Sequence, residues 1–208
     1  FLINASDELD FNLLVPMPER LRETSAMRSF WHDVFDVQLR EGDSAARAKV
    51  EAAAKDWEWL QSALKDASDP LEYARTLPEY ENWAAQRKNV EEYGYATWYD
   101  WANAEWGTKW NAYDQSCDQS ARSLRLQFNT AWSPPAPWYE ALLAAVQPLG
   151  VRVRGWCHDE GWNFWGSYGP NGVATHDCDR SAAHEACYEA CYGEPIPPDE
   201  DECEDEEN

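Results

Sequence analysis

Between residues 18 and 106 apolar side chains recur every three to four positions; after Ser120 they recur at every second position. A period near 3.6 belongs to helices with one buried face and a period of two to half-buried strands, so this switch constrains the fold most. Ala46, Val50, Ala53, Trp57, Leu60 and Leu64 form the cleanest stripe and predict one long helix with Ser44 as its N-cap. Before it, Leu21, Met27, Phe30, Val34 and Phe35 predict a helix running through Leu39 to a break at Gly42-Asp43. Ser68-Asp69-Pro70 closes the long helix and opens the next. Pro78 interrupts residues 71–93, because its ring removes a helical hydrogen bond. Thr97 caps a short helix, Trp98 to Trp106, that Gly107 ends.

Alternation marks the strands. Leu9, Phe11, Leu13 and Val15 predict one at the front, ended by Pro16 and Pro18. Leu124, Leu126 and Phe128 predict a second, and Val151, Val153 and Gly155 a third. Between these two, Pro134, Pro135 and Pro137 introduce a helix from Trp138 to Val146. Asp159-Glu160-Gly161 turns into Trp162–Tyr168, and Gly169-Pro170-Asn171-Gly172 reads as a hairpin turn into Val173–His176, before a helix from Ser181 to Tyr192. The order predicts an α+β domain over residues 1–194, a largely antiparallel sheet with helices on one face and a helical insertion at 18–106. Residues 195–208 carry eight acids and few apolar anchors, and are expected to be a disordered acidic tail.

The charge is extreme: 17 Lys+Arg against 39 Asp+Glu leaves −22 on 208 residues. Such a chain repels nucleic-acid phosphates and anionic membranes, so direct nucleic-acid binding and a membrane partner are not expected. No apolar run approaches the roughly 18 residues of a membrane span, and no signal-peptide pattern opens the chain. It begins on Phe1, which points to further residues upstream. Three explanations fit the acidity. It keeps the chain soluble in a bacterial cytoplasm, or forms an interface for a basic protein, or mimics nucleic acid.

Four stretches are more specific than generic packing needs. They are Asp10-Phe-Asn-Leu-Leu-Val-Pro-Met-Pro-Glu19, Trp98-Tyr-Asp-Trp101 leading to Trp106-Gly-Thr-Lys-Trp-Asn-Ala112, Phe128-Asn-Thr-Ala-Trp-Ser-Pro-Pro-Ala-Pro137, and Asp159-Glu-Gly-Trp-Asn-Phe-Trp-Gly166. Together they resemble the YubB-like family, a ferredoxin-like domain carried by bacteriophages and conjugative plasmids. The likeness covers about 10–19 and 98–166. It implies a βαββαβ sheet and brings no established reaction, catalytic residue or cofactor. Its first strand and helix would precede Asp10, where this chain has nine residues.

Thirteen Trp in 208 residues exceed what a core of this size needs. They serve as core and loop anchors, or as a binding surface, where Trp and Tyr concentrate. The protein-binding candidates are Trp98, Asp100, Trp101, Glu105, Trp106, Lys109, Trp110, Asp159, Glu160 and Trp162, with Lys109 expected to stack on an indole. The resulting expectation is a non-enzymatic protein of a mobile element. It would inhibit a host nucleic-acid-handling defence complex, in the manner of an anti-CRISPR DNA mimic, by occupying a basic groove.

Other constellations are weaker. His176, Cys178, Cys187 and Cys191 could supply four zinc ligands, but no CxxC pair supports them; reduced thiols, or a disulfide formed on oxidation, fit as well, and no cofactor is expected. Cys117 and Cys157 read as small buried groups. Asp159 and Glu160 beside Trp162 and Trp165 could serve a small hydrolase or carbohydrate-binding module. Arg125, Arg152 and Arg154 would share one sheet face able to take single-stranded nucleic acid, unless helices or acids cover it.

Overall fold

A computed structural model describes residues 2–198. The chain is a mixed helix-and-strand protein with small antiparallel sheets. It divides into two compact units, Met17–Trp101 and the combination of Phe1–Pro16 with Ala102–Asn208.

The Met17–Trp101 unit is helical: α1 (Glu19–Glu23), α2 (Phe30–Glu41), α3 (Asp43–Ala54), α4 (Glu58–Leu64), α5 (Pro70–Arg75), α6 (Pro78–Tyr93) and the first turn of α7 (Trp98–Glu105). Trp31, Val34 and Phe35 of α2 pack with Ala46 and Val50 of α3, Leu60 of α4, and Leu71 and Ala74 of α5. Tyr80 and Trp83 of α6 close over Phe35, with ring centroids 5.1 and 5.4 Å away. Asp69 caps α5 by accepting from Leu71 N–H and takes both Arg47 Nε and Nη2, tying α3 to the start of α5.

Two helices expected to be continuous are broken. Residues 24–29 leave the helix because α6 offers their polar groups better partners: Gln86 Nε2 donates to Ser25 O, and Asn82 Oδ1 accepts from Ser25 N–H. The long stripe breaks at Lys55-Asp56-Trp57, and Trp57 becomes the N-cap residue of α4, its ring 5.0 Å from Phe30. Ala46, Val50 and Leu60 are still fully buried, so the stripe's register survives the break. Gly42, not Ser44, stands at the N-cap of α3.

The other unit holds β1 (Tyr113–Gln119), β2 (Leu124–Asn129), α8 (Ala136–Val146), β3 (Gly155–His158), β4 (Trp165–Gly169), β5 (Gly172–His176) and α9 (Ala182–Tyr192), with the end of α7. β1 and β2 form one antiparallel hairpin; β3, β4 and β5 form a separate three-stranded meander. No four-stranded sheet with crossover helices of the ferredoxin-like kind is present among the described residues. The front strand is also replaced. Phe11–Leu13 is a 3-10 turn, and the alternation of Leu9 and Phe11 arises because side-chain amides supply what a strand would. Gln115 accepts from Leu9 N–H and donates to Leu9 O, and Asn111 Oδ1 accepts from Phe11 N–H. Phe11 is thereby sealed against Trp138, Trp106 and Phe128. The strand expected at Val151–Gly155 starts four residues later, as β3, so Arg152 and Arg154 lie outside any strand and Arg125 lies on the other sheet. A common arginine face is not formed. Most of the expected acidic tail, residues 199–208, lies outside the described residues.

Candidate functional site

The Trp-Gly-Thr-Lys-Trp loop is stitched to the stretch after β2. Thr108 Oγ1 donates to Ala131 O and accepts from Ala131 N–H, while Ser133 Oγ donates to Gly107 O. Gly107, at φ +82°, is crowded by Ala136 N and the Pro137 ring, so a side chain there has neither the dihedral nor the room. Lys109 lies between two indoles, 4.4 Å from the centroid of Trp110 and 4.5 Å from that of Trp132. Both indoles are exposed, Trp132 to 70%. Trp101 and Trp106, expected at a surface, are instead core residues, and Trp106 Nε1–H donates to Val15 O at 2.9 Å. Trp98 and Glu105 are half-buried. Asp100 is exposed, but it accepts from the Thr97 hydroxyl at the α7 cap.

The second group gathers where β3, the segment after β5 and α9 meet. His158 ends β3, Cys178 follows β5, and His184 sits in the first turn of α9, whose N-cap Ser181 accepts from His184 N–H. The donor atoms of His158, Cys178 and His184 all lie within 4.8 Å of one another. His184 is fully buried; the other two are half-buried. The two imidazoles stack at 5.2 Å, with Nε2 to Nε2 at 3.1 Å. Arg180 N–H donates to His184 Nδ1, which leaves Nε2–H of that ring to donate to His158 Nε2. Trp162, Tyr188 and Tyr192 present rings around His158 at 5.1, 5.1 and 5.5 Å. Burial first, and then the neighbouring His184, push the His158 pKa down. Burial first, with Asp159 and Asp179 behind it, pushes the Cys178 thiol up.

The four residues considered as a zinc set are therefore split. His176 packs on Trp165 at 4.6 Å and lines, with Asp177 and Asp179, an open hollow of about 480 Å³. Cys187 is buried and donates to Cys157 O, while the hydrogen bond to Cys187 and burial push Cys191 far up. Burial pushes Cys157 up to about 12. The five described cysteines are free thiols. Only Cys178 of the four joins the cluster. Cys178 and His184 stand in the visibly Cys- and His-rich end of the sequence, but no ligand spacing ties His158, 26 residues before His184, to them.

Asp159 Oδ2 accepts from Asn163 N–H and Nδ2, so this carboxylate serves the turn that sets Trp162 at φ +58°. Glu160 is exposed and Trp162 is exposed to 39%. Among the described residues no helix is long and apolar enough to cross a membrane. No family model, curated protein or solved structure matches the chain.

Proposed function

We propose that this is a non-enzymatic acidic binding protein of a mobile genetic element, working in the cytoplasm of a bacterial host. It occupies the basic groove of a host nucleic-acid-handling defence complex. One observation carries the reading. Residues 155–194 hold seven carboxylates against a single Arg, none of the seven is buried, and α9, which carries Glu185 and Glu189, also carries the exposed Tyr192 and stacks its Tyr188 on the exposed Trp162. The segment's net charge of −6, nearly unrelieved by cations, steers a cationic partner, and exposed aromatic rings supply the apolar contact that fixes it. Lys109 between Trp110 and Trp132 adds a second aromatic patch to the same unit.

The test is binding of the purified chain to basic, DNA-free defence complexes of a bacterial host, measured against salt and against duplex DNA as competitor. Binding should fall steeply as salt rises, and DNA should displace the chain. Reversing Glu160, Glu185 and Glu189 to Lys together should weaken it about tenfold or more. Affinity that is indifferent to salt, or binding of chain and DNA at the same time, sinks the reading.

A further inference from the structure

We propose that His158, Cys178 and His184 form a binding site for a zinc-class divalent ion that ties α9 to the three-stranded meander. The inference is independent of the acidic-surface reading. β3, the segment after β5 and the first turn of α9 bring two imidazoles and one thiol together, with all donor atoms within 4.8 Å of one another. Two nitrogens at about 2.0–2.1 Å from a tetrahedral zinc stand about 3.3 Å apart, and Nε2 of His158 and Nε2 of His184 stand 3.1 Å apart. The donors are nitrogen and sulfur without a carboxylate, which selects zinc and its soft neighbours over calcium or magnesium. The surrounding rings of Trp162, Tyr188 and Tyr192 lower the local dielectric and orient the ligands. Two residues bordering the cluster, Trp162 and Arg180, are held at φ +58° and +52°, strain that side chains other than glycine seldom bear.

Binding replaces the proton that the two imidazoles share. That proton leaves His184 Nε2 and the ring takes its proton on Nδ1, where Asp179 Oδ1 stands 3.9 Å away; the Arg180 N–H contact is given up. Cys178 binds as thiolate and releases its proton to water, so uptake is pH-dependent. Three protein ligands leave the fourth corner to water or another outside donor.

The experiment titrates cobalt(II), then zinc, into the chelator-treated full chain. One ion per chain should bind, with the intense visible bands of tetrahedral cobalt and a near-ultraviolet thiolate-to-cobalt band, and zinc should displace it. Cys178→Ser should remove the thiolate band and weaken binding more than about 100-fold, beyond the 10- to 100-fold typical of outer-shell changes. Cys191→Ser should keep the band, and His158→Asn should abolish tetrahedral binding while circular dichroism shows the fold retained. Absence of cobalt binding, octahedral spectra only, or a thiolate band that survives Cys178→Ser overturns the proposal and leaves a hydrogen-bonded imidazole pair.

Discussion

Asp36 shows how a single carboxylate is priced in this acidic chain. Burial alone would raise its pKa, but Trp83 Nε1–H at 2.8 Å and the Arg28 guanidinium at 2.7 Å outweigh burial and hold it below the ordinary carboxylate value. A depressed folded-state pKa means stabilisation that is complete above the unfolded value and lost as pH falls through the folded one. Asp36→Ala should cost about 1–2 kcal/mol at neutral pH, mostly through the Trp83 bond, since the half-exposed Arg28 is screened. Urea denaturation of both proteins should show the gap closing in acid. A gap that stays constant down to low pH would refute this assignment. The two partners of Asp36 lie on different sides of it in the chain, and helical spacing alone could not have paired them.

At the scale of elements, α6 decides more than its own periodicity shows. Asn82, Gln86 and Asn89 recur on one face and reach the 24–29 segment: Gln86 and Asn82 bond Ser25, and Asn89 Nδ2 donates to the Thr24 hydroxyl at 2.9 Å. Gln86 and Asn89 are buried, an unusual position for amides. The bonds of Gln86 and Asn82 to the Ser25 backbone, with that of Asn89 to the Thr24 hydroxyl, explain why the helix expected from Leu21 to Leu39 breaks. Asn82→Ala removes the acceptor of the exposed Ser25 N–H, which water then takes over, and should destabilise this unit by about 0.5–1.5 kcal/mol, read by chemical denaturation. Asn82→Asp keeps the acceptor but loses the Nδ2 donor to Ser25 O, so it should destabilise the unit as well; unchanged stability in both variants would contradict this role. Hydrophobic period reports which face is buried. It does not report that polar residues on a neighbouring helix will claim a stretch of backbone, or that Gln115 and Asn111 will stand in for a strand partner at Leu9 and Phe11.

For the whole molecule, the net charge of −22 sets the response to salt. Like charges raise the energy of the compact state, and added salt screens them. The Tm should therefore rise as ionic strength increases from low to moderate, measured by circular dichroism; a Tm that stays flat or falls would mean that ion pairs such as Arg47–Asp69 outweigh the repulsion.

Several local features were legible because neighbouring residues decide them. Asp69-Pro70 capped a helix, Pro78 restarted one, Thr97 opened α7, Gly169 to Gly172 turned a hairpin and a helix ran to Tyr192, with Ser181 as its cap rather than its first residue. The polar β1 was not legible, since its burial is slight and only pairing with β2 makes it a strand. The same holds for the candidate centre. Residue types, charge and caps are written in the chain, while the meeting of His158, Cys178 and His184 depends on β3 pairing with β4 and on α9 packing against both. Contacts between residues far apart in sequence are chosen by burial and hydrogen-bond satisfaction of the whole unit, which no local pattern encodes.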